Sequence, residues 1–429
     1  MVDRSIGRAA RLGLVGLMVL APTGTLEIGH SAVAAAAGRS DAIYRWGSTP
    51  TLQSLPAGVT PVAVSDGFAT GYAIGSDGKL YAWGANDNGE LGDGAGQSID
   101  DAPVVVLLPS GVGPTAIAGG PDDGYAIGSD GHVYAWGFNA QGELGVGTLK
   151  GPDACSVNGP GQPGLTRPCS TTPVRVDLPP RVRAVAVATS GDPQPGSAYA
   201  LGRNGKVYAW GNNQDALGDG GSRNHVRPRV VPLPSGVRAT AIAGAGMDGY
   251  AIGTDGNLYA WGDNIFGELG NGTTDSSGTP VRVSLPSGVS PRSIAGSISN
   301  GFGTAYMIGS DGKEYAWGFN GDGELGNGAP GPQSCLDQGI VYQCSTTPVL
   351  VALPVGVTPT QIAGNYDGGS AIGSDHRVYS WGRYNLGNGS SGGSDTPVAV
   401  SLPSGSIPEA LGQGPSSQAS YAIVDMPGT

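Results

Sequence analysis

Apolar residues recur along this chain in short runs, never in helical stretches. Each run is four to six residues long and ends at glycine, asparagine, aspartate or proline. One unit repeats. A Pro-Val-x-Val segment (280–283) leads to Leu-Pro-x-Gly-Val (285–289). An Ala-Ile-Ala-Gly run (241–244) and a Tyr-Ala-Ile-Gly run (250–253) come next, then Asp255-Gly256 and Leu-Tyr-Ala-Trp-Gly (258–262). Asp-Gly or Asn-Gly between two short apolar runs is a strong hairpin signal. It recurs at 77–78, 130–131, 204–205 and 311–312. The unit therefore predicts about four antiparallel strands.

Seven tryptophans mark the copies: Trp46, Trp83, Trp136, Trp210, Trp261, Trp317 and Trp381, each followed by glycine. Their spacing averages about 56 residues, a period that indicates a propeller or solenoid rather than separate domains. Alternation in 80–83 puts Tyr81 and Trp83 on one face and Leu80 and Ala82 on the other. Burying such a tryptophan between blades stabilises by about 3–5 kcal/mol. The ends of the chain predict how a ring closes. The strand that should precede Trp46 is missing, and a matching strand (421–424) stands alone at the far end. Pairing the two completes the seventh blade and removes the open sheet edges. The fold class expected is all-β, a seven-bladed β-propeller of four-stranded blades.

Composition supports this. Of 429 residues, 78 are glycine and 33 are proline, which leaves no room for long helices. The glycines lack a three-residue period, which excludes collagen. With 39% apolar residues the chain is not simply disordered. A net charge of −12 argues against nucleic acid as a partner. Residues 1–37 resemble a secretory signal peptide: Arg4, Arg8 and Arg11 precede an apolar run (12–22), and small residues follow at 32–37. That run is too short to span a bilayer. Residues 38–429 form a single propeller, expected to be a secreted monomer, extracellular or periplasmic, with no stable membrane insertion.

A longer motif recurs after the tryptophan. Trp-Gly-x-Asn-x-x-Gly-Glu-Leu-Gly-x-Gly (83–94 and 317–328) resembles the signature of the regulator of chromosome condensation repeat, over residues 41–425. The copies at 212–218 and 383–387 are shortened, and the copy after Trp46 lacks the Gly-Glu-Leu-Gly tail. Where the family usually carries histidine before its second strand, Asp123 and Asp248 stand here. The resemblance implies a seven-bladed propeller. It also brings the family's roles: nucleotide exchange on a small nuclear GTPase with docking on chromatin, and, in a secreted bacterial relative, β-lactamase inhibition. We read the chain as a secreted, bacterial member.

Four cysteines fall in two inserts with matching Cys-Ser-Thr-Thr-Pro ends (169–173 and 344–348). Disulfides Cys155–Cys169 and Cys335–Cys344 are expected, each stabilising its loop by roughly 2–3 kcal/mol. A four-cysteine zinc site would need Cys-x-x-Cys spacing, which is absent.

Candidate chemistry is sparse. His132, His225 and His376 are scattered, and His30 lies within the signal segment and is expected to leave with it. Gly-x-Ser-x-Gly at 389–393 sits in a Gly/Ser loop without a strand-to-helix context. The 320–324 segment faintly resembles a calcium loop, but equivalent positions in other units lack its ligands, so a β-turn is the expectation. The repeated Glu90, Glu143, Glu268 and Glu324 are expected to shape turns. The loops between the first and second strands of each unit should open on one face. They carry Asp66, Asp122, Asp123, Asp192, Asp248, Asp367 and Asn300, with Met247, Phe302 and Tyr366 as apolar anchors. Such a rim would suit a basic or cationic protein. The loops after the tryptophans, with Phe138, Phe266, Phe319 and Tyr384, offer a second exposed surface. The expected function is non-catalytic protein binding, without cofactor or metal. The alternatives are an extracellular enzyme inhibitor or exchange-like regulator, and a hydrolase that uses the acidic rim.

Overall fold

A computed structural model describes residues 40–427, apart from 97–99, 158–164, 192–195, 214–215, 300, 385, 413 and 415–418. The region read as a signal peptide lies outside the described residues. The rest is a ring of seven antiparallel sheets. Blade 1 shows the pattern: Pro61–Asp66 innermost, then Thr70–Gly75, Leu80–Gly84 and Asp100–Val105 at the outer edge. Blades 2 to 6 span 114–175, 184–231, 239–282, 291–350 and 359–399. Blade 7 joins Ile407–Leu411 and Ser420–Met426 to Ser40–Trp46 and Pro50–Gln53. The tail and head pair antiparallel over seven residues, from Ser40↔Met426 to Trp46↔Ser420. Ring closure by the last strand is thus borne out.

Blades 2 and 5 depart from the four-stranded expectation. Each carries a fifth strand, Asp153–Val157 in blade 2 and Gln333–Asp337 in blade 5. Both come from the inserts, which fold into hairpins that extend the outer strand. Both disulfides are present, with Cα–Cα separations of 5.8 Å and 6.0 Å.

The seven tryptophans are buried, and the repeat shows how they join neighbouring blades. The Glu143 carbonyl of blade 2 accepts the Tyr125 hydroxyl at 2.9 Å and Trp210 Nε1 of blade 3 at 2.8 Å. Equivalent carbonyls of Glu90, Ala216, Glu268 and Glu324 clasp Trp136, Trp261, Trp317 and Trp381. Tyrosine and tryptophan also meet edge to face, at 6.1 Å for Tyr125 and Trp210. The glutamate side chain folds back on its own turn: Glu143 accepts the Gln141 N–H at 2.9 Å, and Glu90, Glu268 and Glu324 act alike. The leucine that follows is wholly buried. The closing Gly145 has φ +63°, and a Cβ there would strike Trp210 of the next blade. The Gly-Glu-Leu-Gly segment is thus a turn, as expected, and it is also a joint between blades.

Candidate functional site

Two sets of loops share one face of the ring. In blade 1, Asp66 pairs with Gly71 and Thr70 with Gly84. The loop after the first strand and the loop after the tryptophan therefore emerge side by side, and every blade repeats this. The two surfaces expected from sequence are one loop face. The opposite, turn face carries the Asp-Gly turns and the connections between blades.

The carboxylates of the expected rim are mostly drawn inside. Asp66, Asp123, Asp248 and Asp367 are buried, whereas Asp122, Met247, Phe302 and Tyr366 are half-buried. Asp192 and Asn300 lie outside the described residues. The reason is position: Asp123 and Asp248 open their strands Asp123–Gly128 and Asp248–Gly253, and point between blades. Asp367 adopts φ +75°, donates its N–H to the Ile298 carbonyl at 2.7 Å and accepts the Ser299 hydroxyl at 3.1 Å. It braces blades 5 and 6. Phe68 of blade 1 meets the Tyr366 ring of blade 6 edge on, at 5.7 Å.

Burial gives these carboxyl groups unusual chemistry. Asp123 is pushed well above the ordinary range, first by burial and then by the charge of Glu143, itself raised by burial to about 7. Tyr125 donates its hydroxyl to Asp123 at 2.9 Å. Asp248 is raised by burial and by Glu268, which burial lifts to about 8. Asp122 is raised to about 6 by burial, opposed by the charge of Arg167. In both pairs burial and the neighbouring carboxylate favour the protonated form. Both pairs are buried, whereas Asp122 beside the first is half-buried. Among the described residues no cluster of three His, Cys, Asp or Glu is arranged for a metal.

The aromatic residues after the tryptophans also depart from expectation. Phe138, Phe266 and Phe319 are buried, and Tyr384 alone is exposed, with Arg383 stacked on it at 4.7 Å. The cause is the insert hairpins. Phe266, Phe302, Phe319 and Tyr342 form one aromatic cluster, with Phe266 and Phe302 at 4.4 Å, packed against Cys335 and Cys344. Arg167 of the first insert lies over Phe138 at 5.7 Å.

Above that cluster stands a feature not anticipated from the sequence. The hairpin 333–344 leaves the end of the third strand, where Phe319 pairs with Cys344, and so rises from the loop face. Gln338 and Gly339 turn it, both with positive φ. Its tip displays Leu336 at 64%, Val341 at 62% and Ile340 at 56% exposure. The signal was present as three apolar residues around Gln338-Gly339, between two cysteines.

Known proteins share this architecture. The model for the regulator of chromosome condensation (RCC1) repeat matches residues 77–123, 130–192, 204–247 and 255–299. The human E3 ubiquitin-protein ligase HERC2 is 27% identical over 326 residues, covering 74% of this chain but only 6% of that protein. The Arabidopsis thaliana ultraviolet-B receptor UVR8 is 27% identical over 337 residues, 78% of this chain and 68% of the receptor. Among solved structures, Prp20p from Saccharomyces cerevisiae, described with its binding properties to Gsp1p and histones, superposes with a TM-score of 0.72 at 21% identity. The alignment covers 91% of this chain and 92% of Prp20p. Human WBSCR16 gives a TM-score of 0.71 at 16% identity, over 90% and 99% of the two chains. At these identities the likeness establishes the fold.

Proposed function

Because the chain belongs to the regulator of chromosome condensation repeat family, we propose that it is a secreted, non-catalytic scaffold that binds a partner protein through its loop face. The observation that carries this reading is the hairpin 333–344. A disulfide staples its base, an aromatic cluster roots it, and three apolar side chains project into solvent. Such a tip contributes nothing to the core, and apolar groups held rigidly in water are the usual anchors of protein interfaces. The half-buried Asp122, Met247, Phe302 and Tyr366 complete the surface, and the buried carboxyl groups hold the loops beneath it.

Secretion rests on the leader-like residues 1–37, and the two disulfides are compatible with an oxidising compartment. Blocking an extracellular enzyme is one form this binding would take. Immobilised protein should capture a stoichiometric partner from the culture supernatant of its own source. Leu336→Ser with Val341→Ser should abolish capture without lowering the melting temperature, because neither residue is packed. Undiminished capture by that double variant would overturn the assignment to this hairpin.

A further inference from the structure

The turn face of blade 3 differs in charge from every other part of the molecule. Nine of the chain's 22 lysines and arginines lie between residues 175 and 238, against four aspartates. That stretch carries +5, while the rest of the chain carries −17. All nine basic side chains are exposed. Five belong to the turn face. Arg203 and Lys206 sit in or beside the turn between the second and third strands of blade 3. Arg181 and Arg183 lie in the connection before the blade, and Arg238 in the connection after it.

The backbone laces these residues together. The Arg203 N–H donates to the Arg183 carbonyl at 2.8 Å, and the Ala239 N–H donates to the Gly205 carbonyl at 2.8 Å. The Arg238 stem lies against Gly205. None of the five forms an ion pair with a carboxylate among the described residues.

Comparison among blades shows what this concentration displaced. At the position of Arg203 the others have Ser76, Ser129, Thr254, Ser310 and Ser374. Each of those hydroxyls accepts an N–H from the preceding connection, as in Thr60 to Ser76 at 3.0 Å. A guanidinium has no acceptor, so blade 3 forgoes that bond. At the position of Asn204 the others have Asp77, Asp130, Asp255, Asp311 and Asp375, each accepting a tyrosine hydroxyl. Asn204 instead donates to Tyr208 at 3.0 Å. Two adjacent departures from the repeat both shift the charge upward, and the first sacrifices a structural bond.

We propose that the blade 3 turn face binds an acidic polypeptide segment through Arg181, Arg183, Arg203, Lys206 and Arg238, independently of the loop face. Exposed guanidinium groups pair bidentately with carboxylates. The footprint is confined to about one blade, because carboxylates at Asp130 and Asp255 flank it on the adjoining turns. A long polyanion such as a nucleic acid duplex would run onto those carboxylates and be repelled; a short acidic segment would not.

The test restores the repeat. Arg203→Ser with Asn204→Asp reinstates both bonds seen in the other blades, so the variant should melt no lower than the parent. Binding of a fluorescent deca-glutamate peptide is followed by anisotropy at 25 and 200 mM NaCl, with a DNA duplex as the second probe. The parent should bind deca-glutamate, more weakly at the higher salt, and the restored variant should bind at least about tenfold more weakly. No binding at 25 mM NaCl, or equal binding by the restored variant, would overturn the proposal. Duplex binding as tight as deca-glutamate binding would overturn the polypeptide assignment.

Discussion

Trp210 and Trp46 hold the same place in the repeat, and both are fully buried, yet the joints around them are built differently. Trp210 donates to the Glu143 carbonyl and meets the Tyr125 ring. Among the described residues Trp46 has neither partner. The turn at 383–387 is shortened, Ser370 stands where other blades have tyrosine, and Trp46 Nε1 is without a hydrogen-bond partner among the described residues. Its ring rests on Gly387 and among Val378, Val400 and Leu411. A crevice lined by Ser370, Asn365, Leu411 and Ser420 opens beside it. The difference shows a division of labour. Side-chain clasps join the blades that follow one another in the chain, and a backbone ladder of seven residue pairs closes the ring. At Trp46 the described residues supply no such clasp, and the closure rests on the ladder.

The largest effect should come from removing the ladder. Deleting residues 420–429 exposes the edge of Ser40–Trp46 and should abolish cooperative thermal unfolding by circular dichroism; a sharp transition near that of the parent would refute the division of labour. Next come the tryptophans. Alanine at either position should destabilise by about 3–5 kcal/mol. Phenylalanine separates the two joints: Trp210→Phe leaves the Glu143 carbonyl without one donor, whereas Trp46→Phe removes no hydrogen bond made among the described residues. Chemical denaturation should place Trp210→Phe lower by about 1 kcal/mol, and equal losses would dissolve the comparison.

The clasped joints also carry a pH signature. Glu90, Glu143 and Glu324 titrate near 7 in the folded protein, Glu268 near 8, and all titrate near 4.5 when unfolded. Between those values the folded state holds more protons, so the stability these groups contribute is fully present below pH 4.5 and is lost as pH rises through 7. Melting temperature should therefore drop between pH 5 and pH 8. Glu143→Gln should flatten that slope and raise stability at pH 8 by roughly 1–3 kcal/mol. A slope unchanged by the substitution would show that the clasp glutamates do not set it. The smallest effect is a repair: Ser370→Tyr should return the edge-to-face contact to Trp46 and raise stability by about 0.5–1.5 kcal/mol.

Much of this was legible because the repeat is local. Trp-Gly, Asp-Gly and Gly-Glu-Leu-Gly each encode a strand end or turn within a few residues, and counting incomplete copies at the termini revealed the closure. The candidate site was harder to see. Asp123 and Asp248 look like turn residues in sequence, but each begins a strand whose side chain points between blades. Phe138, Phe266 and Phe319 are followed by polar loops, yet the insert hairpins fold back over them, a contact that local pattern does not encode. The basic sector of blade 3 is hidden within the chain's net charge of −12 and emerges only when blades are compared position by position.

The ring exists only if the head and tail of the chain lie side by side. Hydrogen exchange at pH 7, followed by mass spectrometry on peptides covering 41–46 and 421–426, tests this directly. Both segments should exchange slowly and lose protection together as denaturant is added. Rapid exchange of either segment under native conditions would contradict the closure.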